Sequence, residues 1–276
     1  MAQFSLGTKA RAAGYRLHAF DAVGSTNTEA VNAAKAGDPG NVWFAALQQT
    51  AGRGRRGRVW ESPPGNLAAS VLIRPEADPA LSATLSFVAG IALNRAVCSL
   101  LPDRGMRMAS GHLDGKGSAA RIALKWPNDI LADGAKLAGI LLEAIAGDDG
   151  QQAVVIGFGV NVVAAPEDLP YPATHVGNFS PDCTAKSIFE ALAESWVDCL
   201  RMWRNGQGTP DVLEEWRNVA AGVGGPVAVI QNGNVVRGIF ETVDGSGRLI
   251  VRENTGRRVA ITAGDVHFGA TGTLAR

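Results

Sequence analysis

Seven residues, Gly52-Arg53-Gly54-Arg55-Arg56-Gly57-Arg58, constrain the fold more than any other segment of the chain. Three glycines free the backbone and four arginines surround it with forked donors, so the run must be a loop. It sits between two short apolar segments, 42–48 and 67–73, bounded by Gly and Pro, which read as strands buried on at least one face. Trp60, Pro63 and Pro64 follow it directly, which argues against a disordered tract. The fold therefore has to suspend a basic loop between buried strands.

Backbone N–H groups and guanidinium groups in one flexible loop can wrap a carboxylate or a phosphate and order when the ligand arrives. On its residues alone the loop fits an anion site, and equally a solvated basic loop or an RNA-binding tract. Three other segments bear on the choice. Lys125-Trp126-Pro127-Asn128-Asp129 leads through a tight Asp133-Gly134 turn to Lys136-Leu137-Ala138-Gly139-Ile140, so two lysines and a carboxylate sit near the ends of paired strands. Activating an acid with ATP gathers a carboxylate and a triphosphate, and needs fixed positive charge and Mg²⁺. Lys125 and Lys136 fit the first need and Asn128 or Asp129 the second, although taken alone the segment reads more readily as solvated lysines beside a hairpin and an ordinary Asn-Asp turn after Pro. Gly157-Phe158-Gly159-Val160-Asn161 is a strand whose missing side chains admit a ligand or mark a bulge. Gly24-Ser25-Thr26-Asn27 opens a helix over 28–36, with Ser25 or Thr26 as its cap.

The rest of the chain divides at Gly222. Before it, helices are expected over 81–101, 185–204 and 210–220, and strands over 122–125, 130–132, 137–146 and 153–163. A Gly-rich insertion at 103–120 and a Pro-rich loop at 164–181 carry no expected chemistry. After Gly222, short strands over 227–231, 235–243, 249–252 and 258–262, separated by Asn-Gly and Gly-Ser-Gly turns, predict a small barrel. The division is a catalytic unit over 1–222 and a small β unit over 223–276.

Several function classes fall away. With 26 basic and 26 acidic residues among 276, no overall basicity draws nucleic acid or an anionic membrane. Cys98, Cys183 and Cys199 are scattered and odd in number, which suggests a reducing compartment and, with no signal peptide and no uncharged apolar run approaching a membrane span, a cytoplasmic protein. His18, His112, His175 and His267 show no metal-binding spacing, and neither GxSxG nor GxxxxGK[ST] is present. The first twenty residues leave no room for a helix-turn-helix and linker, so repressor activity is not expected.

Taken together, in order and spacing, Gly-Ser-Thr-Asn at 24–27, the Gln49 to Arg58 run with Trp60, Lys-Trp-Pro-Asn-Asp at 125–129, Lys-Leu-Ala-Gly-Ile-Leu at 136–141 and Gly-Phe-Gly-Val-Asn at 157–161 resemble the biotin protein ligase family. The resemblance implies an α+β fold: a mixed β-sheet flanked by helices, akin to class II aminoacyl-tRNA synthetases, with a small C-terminal SH3-like β-barrel. It implies biotin contacts at Ser25, Thr26, Asn27, Gln49, Gly52, Arg53, Gly54, Arg55, Lys136 and Gly139. Arg55, Arg58, Trp60, Lys125, Asn128, Lys136 and Asn161 are implied at the nucleotide, and Asp129 at Mg²⁺. Lys136, Arg55 and Asp129 are the implied catalytic groups, with Asp129 one candidate to help deprotonate an acceptor lysine. The implied reaction joins biotin and MgATP to give biotinyl-5'-AMP, then passes biotin to a lysine of a biotin carboxyl carrier protein, with no prosthetic group and no enzyme nucleophile. The family also suggests a homodimer. A lipoate or octanoate transferase of the same superfamily, and a biotin-binding sensor without catalysis, are the alternatives.

Overall fold

The computed structural model describes residues 4–101, 122–146, 152–167, 169–231 and 233–269. The expected insertion at 103–120 lies outside them. The larger sheet has seven strands in the order β1-β2-β3-β7-β6-β5-β4, built from Arg16–Phe20, Val42–Ala46, Leu67–Ile73, Ile122–Lys125, Asp129–Ala132, Ala135–Ala146 and Gln152–Val160 for β1 to β7. Only the β1–β2 pair is parallel, so the sheet is mixed, as expected.

Side chains on a strand alternate between faces, and two helical layers exploit this. On one face α2, Thr26–Lys35, lays Ala30 and Ala34 against Val42, Phe44, Leu72 and Val155. The intervening residues Trp43, Val71, Val154 and Ile156 enter the main core on the other face. That face is covered by α4 (Leu85–Leu100), α5 (Ala185–Trp203) and α6 (Thr209–Asn218), with the short α1 (Thr8–Ala12) beside α5 and α3 (Pro79–Ser82) ahead of α4. Trp43 is fully buried there, edge-on to Phe189 at 5.6 Å and Trp196 at 6.2 Å, and Trp196 Nε1 donates to Tyr15 Oη at 2.8 Å.

Sequence and structure differ at several points. β1 and α1 were not expected: β1 is a five-residue edge strand, largely exposed, too short for its alternation to stand out. Pro79–Leu100, which spans α3 and α4 and carries Arg95, is long and apolar enough to cross a membrane by length and composition. Its apolar window is 72% buried, because it is the helix on which the sheet, α5 and α6 all pack. The 133–134 turn is as expected, with φ of 49° at Asp133 and 80° at Gly134, the pair of positive angles that a two-residue hairpin of type I′ requires.

The C-terminal sheet is antiparallel, with β8 (Pro226–Gln231), β9 (Asn234–Val243), β10 (Leu249–Arg252), β11 (Arg258–Ile261) and β12 (Asp265–Phe268) in the order β11-β10-β9-β8-β12. The fifth strand, β12, was not anticipated. This sheet is held to the β4–β5 turn through Trp126 Nε1, which donates to Gly247 O at 2.9 Å, and to α6 through Arg217, whose Nη2 donates to Val243 O at 3.1 Å. Docking brings β12 to the mouth of the cleft described next.

Candidate active site

The open face of β5, β6 and β7, beside the N-terminus of α2, floors a cleft of about 760 Å³. Its floor is low because of glycine. Asp129, Gly139 and Gly159 stand in register across the three strands, and Gly157 follows two residues before Gly159. A β-carbon on Gly159 would lie 2.4 Å from Trp60 Cε2, and one on Gly157 would lie 2.1 Å from Asn27 Oδ1. The two glycines are therefore where the indole and the amide rest on the sheet, which is the close approach their absent side chains allow.

One end of the cleft is polar and uncharged. Ser25 caps α2, accepting from Thr28 N at 3.4 Å, which resolves the two capping options in favour of Ser25. Gln49 Oε1 accepts from Thr26 N at 2.8 Å and Thr26 Oγ1 at 3.1 Å. The Ser70 hydroxyl, fully buried, lies 2.8 Å from Thr26 Oγ1 and 2.5 Å from Asn27 Oδ1, and Asn27 Nδ2 donates to Glu143 Oε2 at 2.7 Å. Ser25, Thr26 and Asn27 are each at most 5% exposed, so these groups are held in place rather than solvated.

The other end is cationic. Lys136 Nζ pairs with Asp129 Oδ1 at 2.9 Å and lies 5.5 Å from the ring centres of both Trp60 and Tyr171. Arg55 Nη1 donates to Asn128 Oδ1 at 2.9 Å, and Asn128 Nδ2 to Ile140 O at 2.6 Å. Burial lowers the pKa of the Arg55 guanidinium, with Asp129 the main opposing influence, and burial likewise lowers Lys125, again opposed first by Asp129. Cations made costly by burial are primed to gain from an anionic ligand.

The arginine loop is a flap. Gly54 N donates to Arg58 O at 2.7 Å and Trp60 N to Gly52 O at 3.0 Å, closing a narrow hairpin over a 3-10 turn at Arg55–Gly57. Arg53 Nη2 reaches Thr28 Oγ1 at 3.2 Å on one side. On the other, Arg56 Nη1 and Arg58 Nη2 both donate to Asp265 Oδ2 of β12, at 3.1 and 2.8 Å.

Of the residues singled out from the sequence, Ser25, Thr26, Asn27, Gln49, Arg53, Gly54, Arg55, Arg58, Trp60, Lys125, Asn128, Asp129, Lys136 and Gly139 all line this one cleft. Gly52 and Asn161 do not. Gly52 packs against Trp60 O and Gln49 Nε2, at the root of the flap. Asn161 is 2% exposed and its Nδ2 donates to Thr174 O at 3.1 Å, tying the 172–174 segment alongside Lys136. That tie is what brings Tyr171 to the cleft, from a loop that the sequence left without chemistry. Ser70, Glu143 and Asp265 were also missed. Ser70 carried a signal, being the one polar residue of an otherwise apolar strand.

Fold and cleft together define a class of α+β proteins in which a mixed sheet, covered by helices on one face, floors a polar and cationic cleft on the other. Comparison with known proteins narrows it. The model of the biotin/lipoate A/B protein ligase family matches residues 20–161, and that of the biotin protein ligase C terminal domain matches residues 223–269. The biotin–[acetyl-CoA-carboxylase] ligase of Paracoccus denitrificans is 37% identical, covering 89% of this chain and 97% of that protein. Its counterpart in Mycobacterium tuberculosis is 35% identical, covering 88% and 85%. Among solved structures, the biotin protein ligase from Aquifex aeolicus in complex with biotin and ATP superposes with a TM-score of 0.72 at 20% identity, covering 92% of this chain and 99% of that one. The Leishmania major ligase in complex with biotinyl-5-AMP gives 0.57 at 27% identity, covering 90% and 99%. The chain belongs to the biotin protein ligase family.

Proposed function

We propose that the protein joins biotin to ATP, forming biotinyl-5'-AMP and pyrophosphate, and then passes the biotinyl group to a lysine of a biotin carboxyl carrier protein. The observation that carries the reading is the gradient along one cleft, from the neutral network of Thr26, Asn27 and Gln49 to the cations Arg55, Lys125 and Lys136. A neutral, hydrogen-bonding ring fits the first end. A carboxylate meeting an α-phosphate fits the second.

The acid oxygen attacks the α-phosphorus in line, the bond to pyrophosphate breaks, and negative charge grows on the equatorial oxygens. Lys136 lies where it can neutralise that charge, and one such donor is typically worth roughly 3 to 4 kcal/mol. Arg55 and Arg58, which line the cleft, are the flap groups assigned to the phosphates, and Trp60 is assigned to shield the mixed anhydride from water. Magnesium enters with ATP, whose phosphates supply most of its oxygen ligands. Asp129 is the carboxylate on the sheet floor and would be the residue to hold a magnesium ion brought by ATP, an ion that would neutralise phosphate charge beside Lys136. Asp129 is also one candidate to help take a proton from the incoming lysine.

We read residues 1–222 as the catalytic domain and 223–276 as the family's SH3-like domain. The free thiols Cys98, Cys183 and Cys199 support a reducing, cytoplasmic setting, and the family resemblance supports a homodimer. ATP–pyrophosphate exchange is the test: exchange driven by biotin, followed by labelling of a carrier domain, is expected. Exchange driven by lipoate alone sinks the proposal, and biotin binding without labelling makes the protein a sensor.

A further inference from the structure

The neutral end of the cleft takes its polarity from a residue behind it. Glu143, on β6, does not line the cleft, and among the described residues its carboxylate forms no ion pair; its contact is with Asn27 Nδ2, at 2.7 Å. A carboxylate can only accept, so the Asn27 amide is held with Nδ2 on Glu143 and Oδ1 over Gly157. Ser70 has one hydroxyl proton, and Oδ1 has none, so the 2.5 Å contact between them uses the Ser70 proton and one Oδ1 lone pair. The atom Asn27 has left to offer is an acceptor.

Gln49 is fixed in the opposite sense. Its Oε1 takes the backbone N–H of Thr26 at 2.8 Å, a donor that cannot reverse, so what it has left to offer is the donor Nε2. An acceptor and a donor thus stand at the same end of the cleft, and only the first depends on Glu143.

We propose that Glu143 is a positioning residue that sets this donor–acceptor order, so that the cleft reads a ring carrying an N–H beside a carbonyl, as in a cyclic urea. The proposal rests on the biotin reading above. A ring that offers neither group, such as the dithiolane of lipoate, leaves Asn27 Oδ1 and Gln49 Nε2 unpaired when it buries them, and this rejects it. With glutamine at 143, Asn27 can flip, and the order is lost.

The test is pyrophosphate exchange by the full chain, with biotin and with desthiobiotin, which keeps the urea and lacks the thioether. Glu143→Gln is expected to raise KM for both acids roughly tenfold while kcat stays within about twofold and KM for ATP is unchanged. Asn27→Asp sets two carboxylates against each other and is expected to be worse. The double variant N27D/E143Q restores a donor at 143 facing an acceptor at 27, and is expected to recover at least about tenfold over Asn27→Asp alone. An unchanged KM for biotin in Glu143→Gln, a parallel loss of ATP affinity, or a double variant no better than Asn27→Asp each overturns the proposal. A wild type that exchanges with lipoate and not biotin overturns the ligase reading and this one together, whereas normal biotin exchange with no effect at Glu143 overturns this one alone.

Discussion

The indole of Trp60 rests on Gly159, with its Cε2 2.4 Å from where a β-carbon would stand. The same indole flanks Lys136, so Gly159 controls the seat of a ring that touches the reacting end of the cleft. Gly159→Ala is expected to lift Trp60 and lower kcat/KM in the exchange assay by more than about tenfold. Stability should hold, because alanine in place of glycine lowers the entropy of the unfolded chain and the half-buried Trp60 ring has room to shift. At Gly139 a β-carbon would meet Trp60 Cζ3 at 3.2 Å, a contact a small shift relieves, so Gly139→Ala should cost less. Equal losses at the two positions would break the link between the floor and the ring.

Lys136→Ala should reduce the kcat of biotin-dependent exchange by roughly 10²- to 10³-fold, the usual cost of removing a donor aimed at developing charge. It also strips Asp129 of the cation it holds at 2.9 Å. Lys136→Arg should not restore the rate, since a planar fork cannot occupy the place of a compact ammonium between Trp60 and Tyr171. Exchange within about threefold of wild type in either variant would remove Lys136 from the chemistry.

How much of this was legible in the sequence follows from how local each signal is. The flap, the Asp133-Gly134 turn and the Ser25 cap depend on neighbours within a few residues, and they were readable. Glycines 157 and 159 could be flagged as a floor or a bulge, but not as a seat for Asn27 and Trp60, which come from segments far away in the chain. Asn161 illustrates the opposite case: a residue in a ligand-like motif that lies outside the cleft lining, with its amide Nδ2 donating to a backbone carbonyl at Thr174. Glu143 and Asp265 carried no local signal at all, since an acidic residue on a strand or a turn is ordinarily solvated. Only the sheet register and the docking of β12 give them partners.

Asp265 joins the C-terminal sheet to the flap by accepting from both Arg56 and Arg58. These pairs are half-exposed and add little to global stability. Their effect should be on the flap. Asp265→Asn is expected to leave the melting temperature within about 2 °C of wild type while trypsin nicks the chain after Arg53, Arg55, Arg56 or Arg58 several times faster. Saturating biotin and ATP should slow the nicking again. An unchanged nicking rate without ligand would show that the flap needs no help from β12.

Cys199 on α5 offers a test of the core through pH. Its thiol is fully buried, with Arg95 Nη1 donating to Sγ at 3.6 Å, and burial pushes its pKa from the ordinary 9.0 up to about 12. The unfolded chain gives up this proton near 9.0 while the folded one keeps it, so the folded state binds more protons across that window. Stability contributed by the neutral thiol is therefore complete below pH 9.0 and is lost as pH rises toward about 12, with a slope of at most about 1.4 kcal/mol per pH unit. Cys98, pushed up to about 11 by burial, acts with the same sign. Cys199→Ala is expected to be less stable than wild type at about pH 7, by the cost of a small cavity, yet to lose stability more slowly on the alkaline side. Urea midpoints measured from about pH 8 to about pH 10.5 check this: the wild-type and Cys199→Ala curves should converge, and parallel curves would mean that the thiol ionises as readily in the core as in the unfolded chain.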